Sequence, residues 1–207
     1  MITKDYRLSK DQRTAFTACH HSGSASGFTL VELCVVMAIT VVMASLAVPQ
    51  VMKTYYSAQV RDAANQFSAL VQQANILAEQ KNVTIPVYTG AVQNGANGAF
   101  IACSSSSCPS GGNGTSYQSG DTAVSFAGDV TSGSSSSAPS GLSPGFTAAT
   151  GTMYFSPRGT TVTAPGGFGL ANGYVFYFKD SRGDWAAVSV TSIGRTKVWV
   201  WNGSNWN

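Results

Sequence analysis

The chain has 207 residues, of which 43% are hydrophobic and only 10% charged, with a formal net charge of +3. So little net charge excludes a binder that works by overall positive potential, so any basic site must be local. The length allows one domain plus additional segments.

Charge is unevenly placed. Residues 1–27 hold Lys4, Arg7, Lys10 and Arg13 against Asp5 and Asp11, and the rest of the chain has eight basic and seven acidic side chains. Both histidines, His20 and His21, also lie in this segment. Without it the protein lacks the commonest general base and metal ligand.

Residues 28–48, FTLVELCVVMAITVVMASLAV, are 21 in number and carry one charge, Glu32. As a helix they would extend about 32 Å, enough for a hydrocarbon core of about 30 Å. A core helix of a soluble domain normally keeps a polar face, and this run has none. A carboxylate within a span is expensive and usually has a partner or a function. In an ordinary secretory signal the apolar region precedes the cleavage site and is lost on cutting. Here the order is reversed, because the hydrophilic SGSASG precedes the apolar run.

The junction Gly27-Phe28-Thr29-Leu30-Val31-Glu32 resembles the type IV prepilin signature, G|FTLVE. The resemblance implies that a prepilin peptidase/methyltransferase cuts after Gly27 and methylates the new amino terminus at Phe28. It also implies a membrane glutamate at Glu32. The chemistry agrees with that role. Cutting creates an ammonium on Phe28, and a neighbouring subunit's ammonium can pair with Glu32, which makes a buried carboxylate tolerable.

Pro49 follows the apolar run. Either the helix continues through it with one donor lost and a kink, or the helix ends there. The spacing beyond it favours continuation. Val60, Ala63, Phe67, Leu70, Ala74 and Leu77 recur at steps of three or four, with Asp62, Gln66, Gln73 and Gln80 off that stripe. The expected division is a leader over 1–27, a membrane helix over 28–53, a stalk helix over 54–82 and a β-rich domain over 83–207.

Strands are expected at 83–89, 98–102, 123–127, 151–156, 173–179, 185–192 and 196–201, separated by Gly, Pro, Asn and Ser clusters. Residues 103–145 read as a Ser/Gly-rich surface loop, although one of those strands falls inside it. Cys103 and Cys108 lie in this stretch, too few and without a nearby histidine for a zinc site, yet able to form a local disulfide in an oxidising compartment. Cys19 lies in the leader and Cys34 in the apolar run. Asp180-Ser181-Arg182-Gly183-Asp184 reads as a hairpin turn in preference to an Arg-Gly-Asp adhesion motif.

Catalytic patterns are missing from the sequence. It has no P-loop, no GxSxG and no HExxH, and GGFGLANG at 166–173 fails the dinucleotide spacing. Asp121 and Asp129 lack the dense spacing of a calcium loop. We therefore expect no enzyme activity, no cofactor and no metal.

The last third has a narrower likeness. Phe155-Ser156-Pro157-Arg158-Gly159 resembles the F-x-P-x-G feature of the GspH/FimT family of minor pseudopilins and pilins, and Gly194-Arg195-Thr196-Lys197 resembles its closing GR-x-R/K. The resemblance implies an α+β, type IV pilin-like fold, with a long amino-terminal helix packed on a small antiparallel β-rich domain. It implies a single-pass inner-membrane protein with a periplasmic carboxyl-terminal domain. The expected partners are other pilin or pseudopilin subunits.

If 195–201 is a strand, Arg195, Lys197, Trp199 and Trp201 share one face, while Thr196, Val198 and Val200 share the other. Cations interleaved with aromatics neutralise phosphates and stack on bases, and some FimT-type pilins take up DNA through this motif. Two functions are therefore carried forward: a structural filament subunit, and a receptor for double-stranded DNA.

Overall fold

The computed structural model describes residues 27–102, 121–133, 135, 138–142, 145–149, 151–164, 167 and 173–207. The proposed leader residues up to 26, and Cys103 and Cys108 with the pairing expected of them, lie outside the described residues. Contacts divide the chain into two units, one ending at Ser45 and one running from Leu46 to Asn207.

Helix α1 spans Leu30–Lys81. It is long and apolar enough near its start to be a candidate membrane span, with a mean hydropathy of 2.4 in its most apolar window. In the first unit its apolar side chains are exposed, from Leu30 at 78% to Met43 at 68%. The few polar side chains there are satisfied locally. The Thr40 hydroxyl donates to Met37 O at 2.8 Å and the Ser45 hydroxyl to Val42 O at 2.7 Å. Such back-bonding suits a segment without water around it. Pro49 lies inside α1, so the alternative in which the helix ends there is overturned.

In the second unit the helix buries Val60, Ala63, Ala64, Phe67, Ser68, Leu70, Val71, Ala74 and Ala78. This is the expected stripe widened by the neighbouring Ala64, Val71 and Ala78, with Leu77 only half-buried at its edge. Asn82, at φ 52°, terminates the helix. Its N–H donates to Glu79 O and that of Val83 to Ala78 O, both at 3.3 Å. These two bonds make a Schellman cap, and Val83 packs back on the core as such caps require.

The cap explains why the first strand starts later than expected. Strand β1 covers Ile85–Ala91 rather than 83–89, because Val83 is used by the cap. It lies between β2 (Asn97–Ile101) and β6 (Thr152–Phe155), antiparallel to both. Strands β3 (Thr122–Ser125) and β7 (Thr161–Val162) complete a sheet of order β3-β2-β1-β6-β7. A second sheet has order β10-β9-β8-β4, built from Thr196–Val200, Trp185–Val190, Tyr174–Lys179 and Thr131–Gly133. Strand β5 (Thr147–Ala148) adds a short parallel pairing to β8.

The core lies where the helix meets both sheets. Alternate residues Ile85, Val87, Ile101, Met153 and Phe155 come from one sheet, and Phe176, Phe178, Ala186, Val188 and Val190 from the other. Phe67 stands between Phe176 and Phe178, with ring centroids 4.7 and 5.2 Å away. The opposite face of the second sheet is also covered. Val175, Tyr177, Ala187 and Trp199 lie beneath a carboxyl-terminal tail anchored by Trp206. Main-chain bonds between Val200 and Asn207 hold that tail in place, at 2.9 and 3.0 Å. Burial raises the Tyr177 hydroxyl above its usual range.

The Ser/Gly-rich stretch 103–145 is not all loop. It supplies β3, paired through Ala99↔Val124, and β4, paired through Ser132↔Phe178. Both are edge strands, which need a backbone ladder more than apolar side chains, and Phe126 and Val130 anchor them in the core. Strands β5 and β7, at two residues each, are too short to give a periodic signal. At the carboxyl end β9 stops at Val190 and β10 at Val200, short of 192 and 201, because Thr191–Arg195 is a tight turn and Trp201 makes only a single bridge to Trp206.

Candidate functional site

At the amino-terminal junction, Gly27, Phe28 and Thr29 precede the helix. The Glu32 N–H donates to Thr29 Oγ1 at 3.2 Å, and the Leu33 N–H to Thr29 O at 3.2 Å. Thr29 is thus the N-cap, with an acidic residue three positions on. Glu32 stands in the first turn, where the partial positive charge of the helix end favours a carboxylate. Phe28 is 81% exposed, and Cys34 is an exposed free thiol. Nothing in this stretch except Glu32 carries charge.

In the second unit the two carboxyl-terminal motifs come together on the helix. In the turn after β6, the Ser156 hydroxyl hydrogen-bonds Thr160 Oγ1 at 2.7 Å and accepts from the Arg158 and Thr160 N–H groups, both at 3.3 Å. Between β9 and β10, the Gly194 N–H donates to Thr191 O at 2.9 Å and the Arg195 N–H to Thr191 Oγ1 at 3.1 Å. The Thr161 N–H donates to Ser192 O at 2.9 Å and ties the two turns.

Gly159 and Gly194 have φ of 71° and 76°. A side chain at Gly159 would run into Glu79 and Asn75, and one at Gly194 into Asn75 and the carbonyl of Gly159. Each glycine is therefore required twice, by its left-handed backbone and by contact with the helix. Asn75 and Glu79 give no signal in the sequence, where they read as ordinary polar positions beside the apolar stripe. Gly194→Ala is expected to lower stability by about 1–3 kcal/mol, through a strained φ and displacement of Asn75. Urea denaturation of the purified chain measures it, and an unchanged midpoint would remove the requirement.

The residues proposed for DNA are divided by the structure. Thr196 and Val198 face the helix: the Thr196 hydroxyl accepts from Ser68 Oγ at 2.8 Å and Gln72 Nε2 at 2.9 Å, and Val198 packs on the main core. Arg195 and Lys197 are exposed. Trp199 is only 6% exposed; its Nε1 donates to Ser189 Oγ at 2.9 Å. The Lys197 ammonium lies 3.4 Å from the centre of its ring, and Gly141 packs against its far edge. That ring has no open face for a base. Trp201 is half-buried, 5.4 Å from the Trp206 ring. The strand therefore presents two cations, while its tryptophans pack under the tail.

The predicted turn at 180–184 is present. Asp180 Oδ1 accepts from the Arg182 N–H at 3.0 Å and the Asp184 N–H at 2.9 Å, while Asp129 Oδ2 accepts from the Ser181 N–H at 3.1 Å. These bonds with Ser181 hold the Asp129 carboxyl below its ordinary range. Arg182 stacks on Tyr56, 3.1 Å from its ring centre.

Among the described residues no group of three or more His, Cys, Asp or Glu is placed to hold a metal ion. Compared with protein-family models, with curated proteins and with solved structures, the chain matches none.

Proposed function

We propose that this chain is a prepilin-type subunit, cut after Gly27 by a prepilin peptidase/methyltransferase and assembled through its amino-terminal helix into a pilus-like filament. One observation carries the reading. The junction G|FTLVE runs into a helix whose first turns are apolar, exposed and charged only at Glu32. An exposed apolar helix of that length needs a covering phase, and a bilayer supplies it before assembly, neighbouring helices after.

The new ammonium on Phe28 would lie at the positive end of α1, an unfavourable place for a cation. Glu32 offsets it, and pairing with the ammonium of a neighbour fixes the register of an incoming subunit. The α+β layout fits a type IV pilin-like subunit, with the sheets in the periplasm and the helix in the inner membrane. The motifs at 155–159 and 194–197 favour a minor subunit of the GspH/FimT kind, in a type II secretion pseudopilus or a type IV pilus.

The exposure of Arg195 and Lys197 on the edge strand β10 favours a second role, in binding double-stranded DNA. The two are separated by experiment. Deleting the gene should abolish exoprotein secretion if the subunit serves secretion, and transformation alone if it serves DNA uptake. In a DNA titration of the detergent-solubilised chain, Arg195→Ala/Lys197→Ala should weaken binding and reduce the slope of log affinity against log salt by roughly two. Unchanged affinity in the double variant would leave the structural role.

A further inference from the structure

The second unit begins, on its helix, with a band of exposed apolar residues. Leu46, Val48, Val51 and Met52 are exposed by between 47% and 70%. Gln50 is the one polar residue among them, and Lys53 and Thr54 follow, then Tyr55 and Tyr56. The hairpin turn 180–184 lies against this stretch, and the two form a groove of about 440 Å³ lined by Pro49, Met52, Lys53, Tyr56, Arg182 and Asp184.

The composition is that of a membrane–water boundary. Two cations, Lys53 and Arg182, stand in the groove with Tyr56, whose ring lies 5.6 Å from that of Tyr55. Aromatic residues and long cationic side chains concentrate at the headgroup level. The level also fits. Lys53 is five residues past Val48, about 7.5 Å along the helix, and the headgroup layer beyond the hydrocarbon is about 5–8 Å deep on each side.

The groove brings together groups that can hold a phosphate. Arg182 is presented by a turn fixed through Asp180 and Asp129, and its guanidinium face is occupied by Tyr56. A stacked guanidinium keeps its N–H edges free, and those edges match two phosphate oxygens. Lys53 adds a second donor on the same groove, while Pro49 and Met52 offer an apolar wall to the glycerol and acyl side. Among the described residues lining the groove, Asp184 is the one carboxylate beside these two cations, and Arg182 also acts electrostatically on Asp129. No ion pair joins Lys53 to Asp184 among the described residues.

We infer that this groove is a seat for the phosphate of a membrane phospholipid headgroup, held by Lys53 and Arg182. The inference rests on the anchor reading of α1 and goes beyond it: the β-rich unit is docked on the bilayer surface, not merely tethered to it.

Hydrogen exchange of the full chain tests this, comparing nanodiscs of phosphatidylethanolamine and phosphatidylglycerol with maltoside micelles, which carry no phosphate. Exchange over 180–186 should be at least about threefold slower in nanodiscs, and the difference should vanish in Lys53→Ala/Arg182→Ala. Equal exchange in both media, with residues 30–48 protected in nanodiscs, would overturn the seat and leave the anchor. Unprotected residues 30–48 in nanodiscs would overturn both. If millimolar inorganic phosphate in micelles slows the turn equally, the lipid is not the ligand and the inference fails.

Discussion

Replacing Phe67 by alanine is expected to destabilise the β-rich unit by about 3–5 kcal/mol, the largest single effect on folding. The side chain has no exposed surface and is the point where helix and second sheet interlock. Its ring touches those of Phe176 and Phe178, and Phe126 closes the cluster on Phe178 at 5.2 Å. Truncation removes both aromatic pairs, worth about 0.5–1.5 kcal/mol each beyond burial, and leaves a cavity between helix and sheet that neither can close. Ile76, nine positions on, is 54% exposed, and Ile76→Ala should be nearly neutral. Urea denaturation of the two variants side by side checks the assignment of core and surface. Similar midpoints would contradict it.

Glu32→Leu should leave membrane insertion and leader removal intact and abolish entry into the filament. Removing the carboxylate makes the apolar run cheaper to insert, since a charge within a span is costly. In a chain cut after Gly27, it would also leave the Phe28 ammonium at the positive end of a helix without a counter-charge. If that ammonium is buried between subunits, loss of its partner costs about 3–5 kcal/mol, more than about a hundredfold in assembly. The measurement is the fraction of chain recovered in sheared filaments against that left in the membrane. Wild-type recovery of Glu32→Leu would show that assembly does not use the pair. The helix cap would be little affected, because Thr29 makes its bond with the main chain of residue 32.

Much of the layout can be read from the residues. The apolar run and the three-and-four spacing from Val60 to Ala74 define one helix, because each residue of a stripe must face a core whatever follows in the chain. The strands at 173–179 and 185–192 are legible for a similar reason: both faces are buried, so runs such as Tyr174–Phe178 are almost wholly apolar.

Other features depend on contacts between distant segments. The role of Gly159 and Gly194 is legible as a turn, but not the contact of both with Asn75, which exists only once two hairpins reach the helix. The strand 196–200 has the expected alternation, and Thr196 and Val198 do face the core side. Its alternation gives no hint that Trp199 is buried, because the cover comes from Trp206, seven residues on, which folds back over the sheet. Likewise Arg182 reads only as part of a hairpin turn. The fixed position of its guanidinium over Tyr56 comes from the packing of that turn on the helix.

The most direct test of the account is the intact mass of the chain extracted from membranes and filaments of cells that express it. The mass of residues 28–207, with one methyl group on the amino terminus of Phe28, is predicted. Recovery of filament-associated chain that still carries residues 1–27 would contradict it.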